Sequence, residues 1–317
     1  MKRFAYLMLA VSTVVGAQTY PNRPIRMIVP YAAGGASDTT GRIVASRLGE
    51  RLKQQLVVEN RTGAGGAIGA EAAAKAPPDG YTLLLASSSE IAMLPAVSRK
   101  IGYDPVRDFA PIAMVGDVPL LLVTHPSVPA RSVAELIALA KAKPGTINYG
   151  SAGIGATSHL AMAYFNALTK TQMVHVPYKG SVPATADLVA GHLQVGTPTL
   201  SAALPFEKSG QLRVLAVTSS RRWPSLPNVP TLAESGLPEY EVVLWTGVMA
   251  PAGTPPDIIQ LLYREIAQVL AQPDVRENLA RQGAEVSAAD PEKFAAIVKA
   301  ELAKWAKVVK DADIRVD

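Results

Sequence analysis

The sequence predicts an α/β protein built from two domains. Its 317 residues are two domains' worth of chain at roughly 150 residues each. Apolar runs of strand length alternate with helical patterns, the order that gives α/β architecture. Several of those runs are continuous rather than alternating, as in strands covered on both faces of a parallel sheet.

The expected strands, in chain order, are 25–29, 56–58, 81–86, 120–124, 173–176, 212–218 and 242–250. Helix starts between them are legible. Ser132 with Glu135, and Thr231 with Glu234, fit the capping box, in which side chains satisfy the orphan N–H groups of a helix N-terminus. Thr254-Pro255 opens a helix with Ile258, Leu262, Ile266 and Val269 in register. Asp290-Pro291 opens a longer one carrying Phe294, Ile297, Val298, Leu302, Trp305 and Val309 on one face. No internal repeat or low-complexity tract is present. The segment 224–238, rich in Pro and Ser, reads as an ordered loop around a short helix.

The N-terminus carries Lys2 and Arg3, an apolar run over 4–15, and small residues at Val15-Gly16-Ala17, the pattern of a cleavable secretory signal. The apolar run is too short to span a bilayer. Cleavage after Ala17 would remove two of the 31 basic residues, so the formal charge of +5 is partly export signal. The expected address is the periplasm. Charged residues make up 18% of the chain, below the roughly 25% usual for soluble domains, and no basic patch is interleaved with aromatics. A nucleic-acid partner is therefore not expected. The absence of Cys excludes a disulfide scaffold, a cysteine nucleophile and Cys-ligated metal.

Three glycine-rich turns carry the chemistry. The first, 29–38, follows a strand and precedes a helix through Ile43, Val44 and Leu48. Gly34 and Gly35 permit a tight turn, and Ser37 or Asp38 is expected to cap the helix. Such a junction aims free N–H groups and a helix dipole at one spot, a ready anion site. The second, 59–69, has the spacing G-x-G-G-x-x-G, one residue too long for a dinucleotide fingerprint, and lacks the acidic residue that would close the next strand. The third, 148–159, places Gly150, Gly153 and Gly155 among hydroxyl residues before a helix beginning near Thr157 or Ser158. Ser151 is no nucleophile elbow, because Tyr149 stands where that motif needs Gly. Ser87, at a strand end, is a further hydroxyl donor. His125, His159, His175 and His192 show no metal-ligand spacing. No cofactor is expected. His159 alone, beside the third turn, is a candidate ligand contact. Trp223, Trp245 and Trp305 read as packing residues, with Trp245 in a strand able to act as a hinge. Two lobes with anion-binding turns and no catalytic constellation read as a solute receptor that clamps a small molecule by hinge closure. The alternatives are a sensory module presenting its ligand to a signalling partner, and an α/β hydrolase-like enzyme.

Eight collinear segments carry a family resemblance: 29–38 (VPYAAGGASD), 58–69 (VENRTGAGGAIG), 78–84 (PDGYTLL), 149–159 (YGSAGIGATSH), 175–180 (HVPYKG), 215–219 (LAVTS), 229–234 (VPTLAE) and 250–255 (APAGTP). The chain resembles the Bug extracytoplasmic solute receptors of tripartite tricarboxylate transporters, from about Tyr20 to its C-terminus. The resemblance implies a type II periplasmic-binding-protein fold. Lobe one would be 20–121 plus 246–317 and lobe two 122–245, with crossovers at 118–121 and 244–247. It implies a monomeric, non-enzymatic receptor that takes a small organic mono- or dicarboxylate and serves membrane permease subunits. The carboxylate would be held by backbone groups and water without an obligatory Arg. The matching site positions are Tyr31, Gly34, Gly35 and Asp38 in the first turn, then Ser151, Gly155, Thr157 and His159 in the second lobe. Ala33 and Ala156 are expected as backbone donors within 33–36 and 153–157, Ala156 before Thr157 being itself a departure from the family pattern. Asp187 matches a position near the distal ligand end. Gly41, and Gln194 where an acid often sits, depart from the family pattern.

Overall fold

The computed structural model describes residues 20–98 and 100–314; the expected signal at 1–17 lies outside them. In chain order the elements are β1 (Ile25–Val29), α1 (Ala36–Leu52), β2 (Leu56–Asn60), α2 (Ala67–Ala74), β3 (Thr82–Ser87), α3 (Leu94–Val97), β4 (Phe109–Pro119) and β5 (Leu121–Thr124). There follow α4 (Val133–Ala142), β6 (Asn148–Ser151), α5 (Thr157–Thr169), β7 (Val174–Pro177), α6 (Ser181–Val189), β8 (Val195–Gly196), α7 (Leu200–Lys208) and β9 (Arg213–Val217). The chain ends with β10 (Val243–Pro251), α8 (Pro256–Ala271), α9 (Pro273–Arg281), β11 (Glu285–Val286) and α10 (Pro291–Asp311).

Two sheets form, ordered β11-β4-β10-β3-β1-β2 and β7-β6-β8-β5-β9. The fold is α/β in two lobes, as expected. The sheets, however, are mixed rather than parallel throughout. In the first, β1 runs parallel to β2 and β3, while β10 is antiparallel to both β3 and β4. In the second, β6 is parallel to β7 and β8, while β5 is antiparallel to β8 and β9. β10 and β5 are each the strand that has just arrived from the other sheet, β10 inserted between β3 and β4 and β5 between β8 and β9.

The chain leaves the first sheet at Pro119 and joins the second at Leu121. It returns by way of Thr218 and Val242. Thr218 ties these passages together: its N–H and hydroxyl donate to the Leu120 carbonyl, and its carbonyl accepts the Val242 N–H at 2.9 Å. The return precedes the expected 244–247, because Val243 already pairs with Pro119 in the first sheet.

Burial explains the strands that are legible. β1 and β3 are almost wholly buried, with Met27, Leu83 and Leu85 against α1 and α8 on one face and Ile28 and Leu84 on the other. The opposite face belongs to a core that runs through both lobes, from Phe294 and Trp305 of α10 to Leu160 and Phe165 of α5. Trp245 is buried in β10 with its ring edge-on to Phe294 at 5.5 Å. Ser132 and Asp290 cap α4 and α10 by accepting the Glu135 and Lys293 N–H groups. At Thr231 and Glu234 the reciprocal cap bonds form, at 2.9 Å each, on a turn rather than a helix.

Candidate functional site

A crevice between the sheets is lined by Tyr31, Ala32, Gly35, Ala36, Ser37, Ser89, Leu120, Ala152, Ala156, Thr157, Ser158, Ser181, Val182, Thr197, Thr199 and Leu244. These residues sort by element. Gly35 to Ser37 are the start of α1, Ala156 to Ser158 the start of α5, Ser181 and Val182 the start of α6, and Thr199 the residue capping α7. Four helix N-termini, one from the first lobe and three from the second, therefore converge on one space. The first amides of each helix have no partner within the helix, and each N-terminus carries roughly half a positive charge. The side chains add hydroxyls, and none of the lining residues is Asp, Glu, Lys, Arg or His. Leu120 and Leu244, beside the two passages between the sheets, supply apolar contact. The cavity volume is about 60 Å³, well below the roughly 150 Å³ that admits benzene in an engineered cavity.

The two walls are bonded directly. Ser89, on a π-helical turn spanning Ser89–Met93, accepts the Thr157 N–H at 3.0 Å, and its hydroxyl lies 2.6 Å from the Thr157 hydroxyl. A side chain on Gly65 would strike the Ile154 carbonyl of the opposite lobe, and Gly65 also holds φ +64°, so the close approach of these loops requires glycine there. An adjoining smaller recess, sharing Ala152, Ser158, Ser181 and Thr197, extends to Ser151.

Of the sequence-predicted residues, Tyr31, Gly35, Ala156 and Thr157 line the crevice. The others do not, for identifiable reasons. Ala33 and Gly34 are exposed on the outer side of the turn, and the Gly34 N–H is spent on Asp38 at 2.9 Å. Asp38 is not the helix cap; Gly35 holds that position without a side-chain bond. Asp38 is instead a buried brace, accepting from Gly34, from Arg42 at 3.0 Å and from Asn60 at 2.9 Å. Burial pushes its pKa up, but those donors outweigh it and hold the carboxyl below its usual value. Ser87 is bound to Glu90 through both its N–H and its hydroxyl. The Gly155 N–H donates to His159 Nδ1 at 3.1 Å. His159 faces away from the crevice and stacks on His175 at 3.8 Å, whose Nε2 lies 2.6 Å from Ser151 Oγ. Burial lowers both imidazoles, to about 3 for His159, with His175 adding to the effect, and to about 4 for His175. These two rings are thus neutral struts behind the 151–157 loop. Asp187 sits on the outer surface of α6, accepting from Tyr178 at 2.5 Å and paired with His192.

Sequence reasoning missed the starts of α6 and α7. Ser181 after Gly180, and Thr199 after Thr197-Pro198, were signals of the same kind as the first turn, each a small hydroxyl residue preceding a helical run. Among the described residues no cluster of His, Asp or Glu is arranged to hold a metal ion, and no helix is long and apolar enough to cross a membrane.

Two α/β lobes joined by paired crossing strands, with anion-seeking amides facing each other across the seam, define a solute receptor. Comparison with known proteins gives the family. The model described as "Tripartite tricarboxylate transporter family receptor" matches residues 40–314, and the chain belongs to that family. Protein BugT of Bordetella pertussis is 42% identical over 96% of this chain and 94% of its own length. Rpa4515 of R. palustris, solved with adipate, is 39% identical with a TM-score of 0.89, covering 93% of this chain and 99% of that one. MatC from Rhodopseudomonas palustris, solved with bound malate, is 33% identical with a TM-score of 0.87, covering 92% and 100%. The resemblance to Bug receptors read from the sequence is thereby established.

Proposed function

We propose that this chain is a periplasmic receptor that closes on a small organic carboxylate and delivers it, chemically unchanged, to the membrane permease of a tripartite transporter. The observation that carries the reading is the meeting of four helix N-termini in a crevice lined by no charged side chain. An anion is the ligand such a site favours. Each N-terminus contributes about 0.3–1 kcal/mol toward a nearby negative charge, and up to about 2 kcal/mol where it is partly buried. The adipate and malate carried by the two relatives are acids of that kind.

In this reading residues 1–17 direct export and are removed. Lobe one comprises 20–121 and the C-terminal part of the chain, and lobe two the segment between. The lobe boundary on the return falls near Val243, where pairing with the first sheet begins. The receptor works as a monomer. Tyr31, Gly35, Ala156 and Thr157 contact the ligand, joined by Ser37, Ser89, Ser181 and Thr199. A thermal-shift and calorimetry series over mono-, di- and aromatic carboxylates tests the reading. A ligand at 100 times its Kd adds about 2.7 kcal/mol of stability, and mass spectrometry of the recovered acid should show no turnover. No shift with any carboxylate, or conversion of the acid, would overturn the proposal.

A further inference from the structure

Directly behind the crevice lies an acid that the binding scheme does not use. Glu90 is fully buried and follows Ser89, the residue that grips Thr157 across the seam. Its carboxyl faces donors: Oε1 takes the Ser87 N–H, and Oε2 lies 2.5 Å from the Ser87 hydroxyl and 3.0 Å from the Tyr31 hydroxyl. The Tyr31 hydroxyl owns one proton but sits between two acceptors, Glu90 Oε2 and the Gly65 carbonyl at 2.9 Å. With Glu90 ionised, the Ser87 N–H and hydroxyl serve its two oxygens and Tyr31 is left to Gly65. Among the described residues, however, no cationic side chain pairs with the buried charge, and an unpaired buried charge is costly. With Glu90 protonated, its O–H donates to Tyr31, Tyr31 donates to Gly65, and every atom is matched.

The surroundings favour the same state. Burial raises the Glu90 carboxyl to about 7 against the donors that lower it. Tyr103 donates to the Glu90 main-chain carbonyl, not to its carboxyl. Glu71 of α2, whose charge reaches Tyr103, is paired with Lys75. The helix α10 lies on this turn with apolar Phe294, Val298 and Trp305, its Glu301 bonded to Lys304 and Trp305. From α5, His159 is turned to His175. The segments 64–66 and α3 carry no titratable side chain.

We propose that Glu90 is a proton-carrying positioning residue: anion capture in the crevice is coupled to a proton held on Glu90 behind Tyr31. This rests on the reading above that the ligand is an anion. An ionised Glu90 would repel a carboxylate lying against Tyr31. By reciprocity, an anion destabilised by the carboxylate raises the affinity of Glu90 for its proton. Binding above the range where the free acid titrates therefore takes a proton up.

Calorimetry with adipate as probe, and malate as the second, in buffers of different ionisation enthalpy tests the coupling. Proton uptake should be small at about pH 6 and approach one at about pH 8.5, with affinity falling up to about tenfold per pH unit above neutrality. In Glu90→Gln the uptake and the slope should disappear, because the amide N–H₂ donates to Tyr31 as the acid did. Equal uptake in Glu90→Gln, or none in the wild type at the higher pH, overturns the proposal. Infrared spectroscopy of the ligand-free protein gives a readout that needs neither ligand nor a folded variant. A buried protonated-carboxyl band should be present at about pH 6 and lost on raising the pH; its absence at the lower pH overturns the proposal. If neither acid binds while the band is present, the carboxylate reading fails and the protonated state of Glu90 stands.

Discussion

At Gly35 the backbone is extended, with φ −76°, so the residue is not glycine for its dihedral angles. A Cβ there would sit 3.5 Å from the Ala32 carbonyl and 3.5 Å from Ser181 Oγ. Alanine should be accommodated, whereas Gly35→Val should crowd the starts of α1 and α6 together and weaken adipate binding by at least tenfold in calorimetry. Unchanged affinity would remove this turn from the site. Ser89 is the second informative residue. Ser89→Ala leaves the buried Thr157 N–H without its acceptor, an effect of about 1–3 kcal/mol. It should appear as weaker ligand capture with the fold of each lobe retained by circular dichroism. Asp38 acts only on the turn that presents the amides. Asp38→Ala should lower stability by about 2 kcal/mol at neutral pH. Because its pKa is depressed, the wild-type advantage is present above the usual carboxylate range and is lost as pH falls through the lowered value, which denaturation at several pH values would show.

The elements that sequence reveals are those with unbroken local chemistry. β1 is legible to the residue because IRMIV is apolar at its core-facing positions and ends at a glycine turn. β4, the strand that leads into the second lobe, is invisible because Pro111, Gly116, Asp117 and Pro119 interrupt its apolar run; only its pairing with β10 makes it a strand. β6 hides inside a segment that reads as a glycine-rich turn. For the site, the strand–glycine–helix junctions before α1 and α5 were legible. Which of their groups face inward was not, since that depends on the sheet opposite. His159 illustrates the limit: its proximity to the third turn is local, but its stacking on His175 comes from β7. That pair makes a prediction at this scale. Both imidazoles are depressed, so their contribution to stability is full above about pH 6.5 and drains away as pH falls toward about 4 and about 3. His175→Phe, which keeps a stacking ring, should flatten the acid limb of a Tm-against-pH profile by up to one proton. An unaltered limb would mean the pair is not neutral.

Across the whole molecule, the lobes meet through Ser89 and Thr157 on one side of the seam and through Gly65 and Ile154 at its rim, while Thr218 ties the crossing strands. Gly65→Ala should hold the lobes apart, because its methyl would collide with a carbonyl rather than with a movable side chain. Small-angle scattering with saturating adipate should then show no compaction where the wild type contracts; equal contraction would place the seam elsewhere. The crevice that this closure completes has a last implication. In the proposed reading its grip on an acid rests on peptide N–H groups, and a peptide N–H is offered by every amino acid except proline. Mutation along the lining can therefore redraw the outline presented to the cargo's carbon skeleton while leaving the clasp on its acidic end untouched, so a lineage of such proteins can exchange one nutrient for another in single steps.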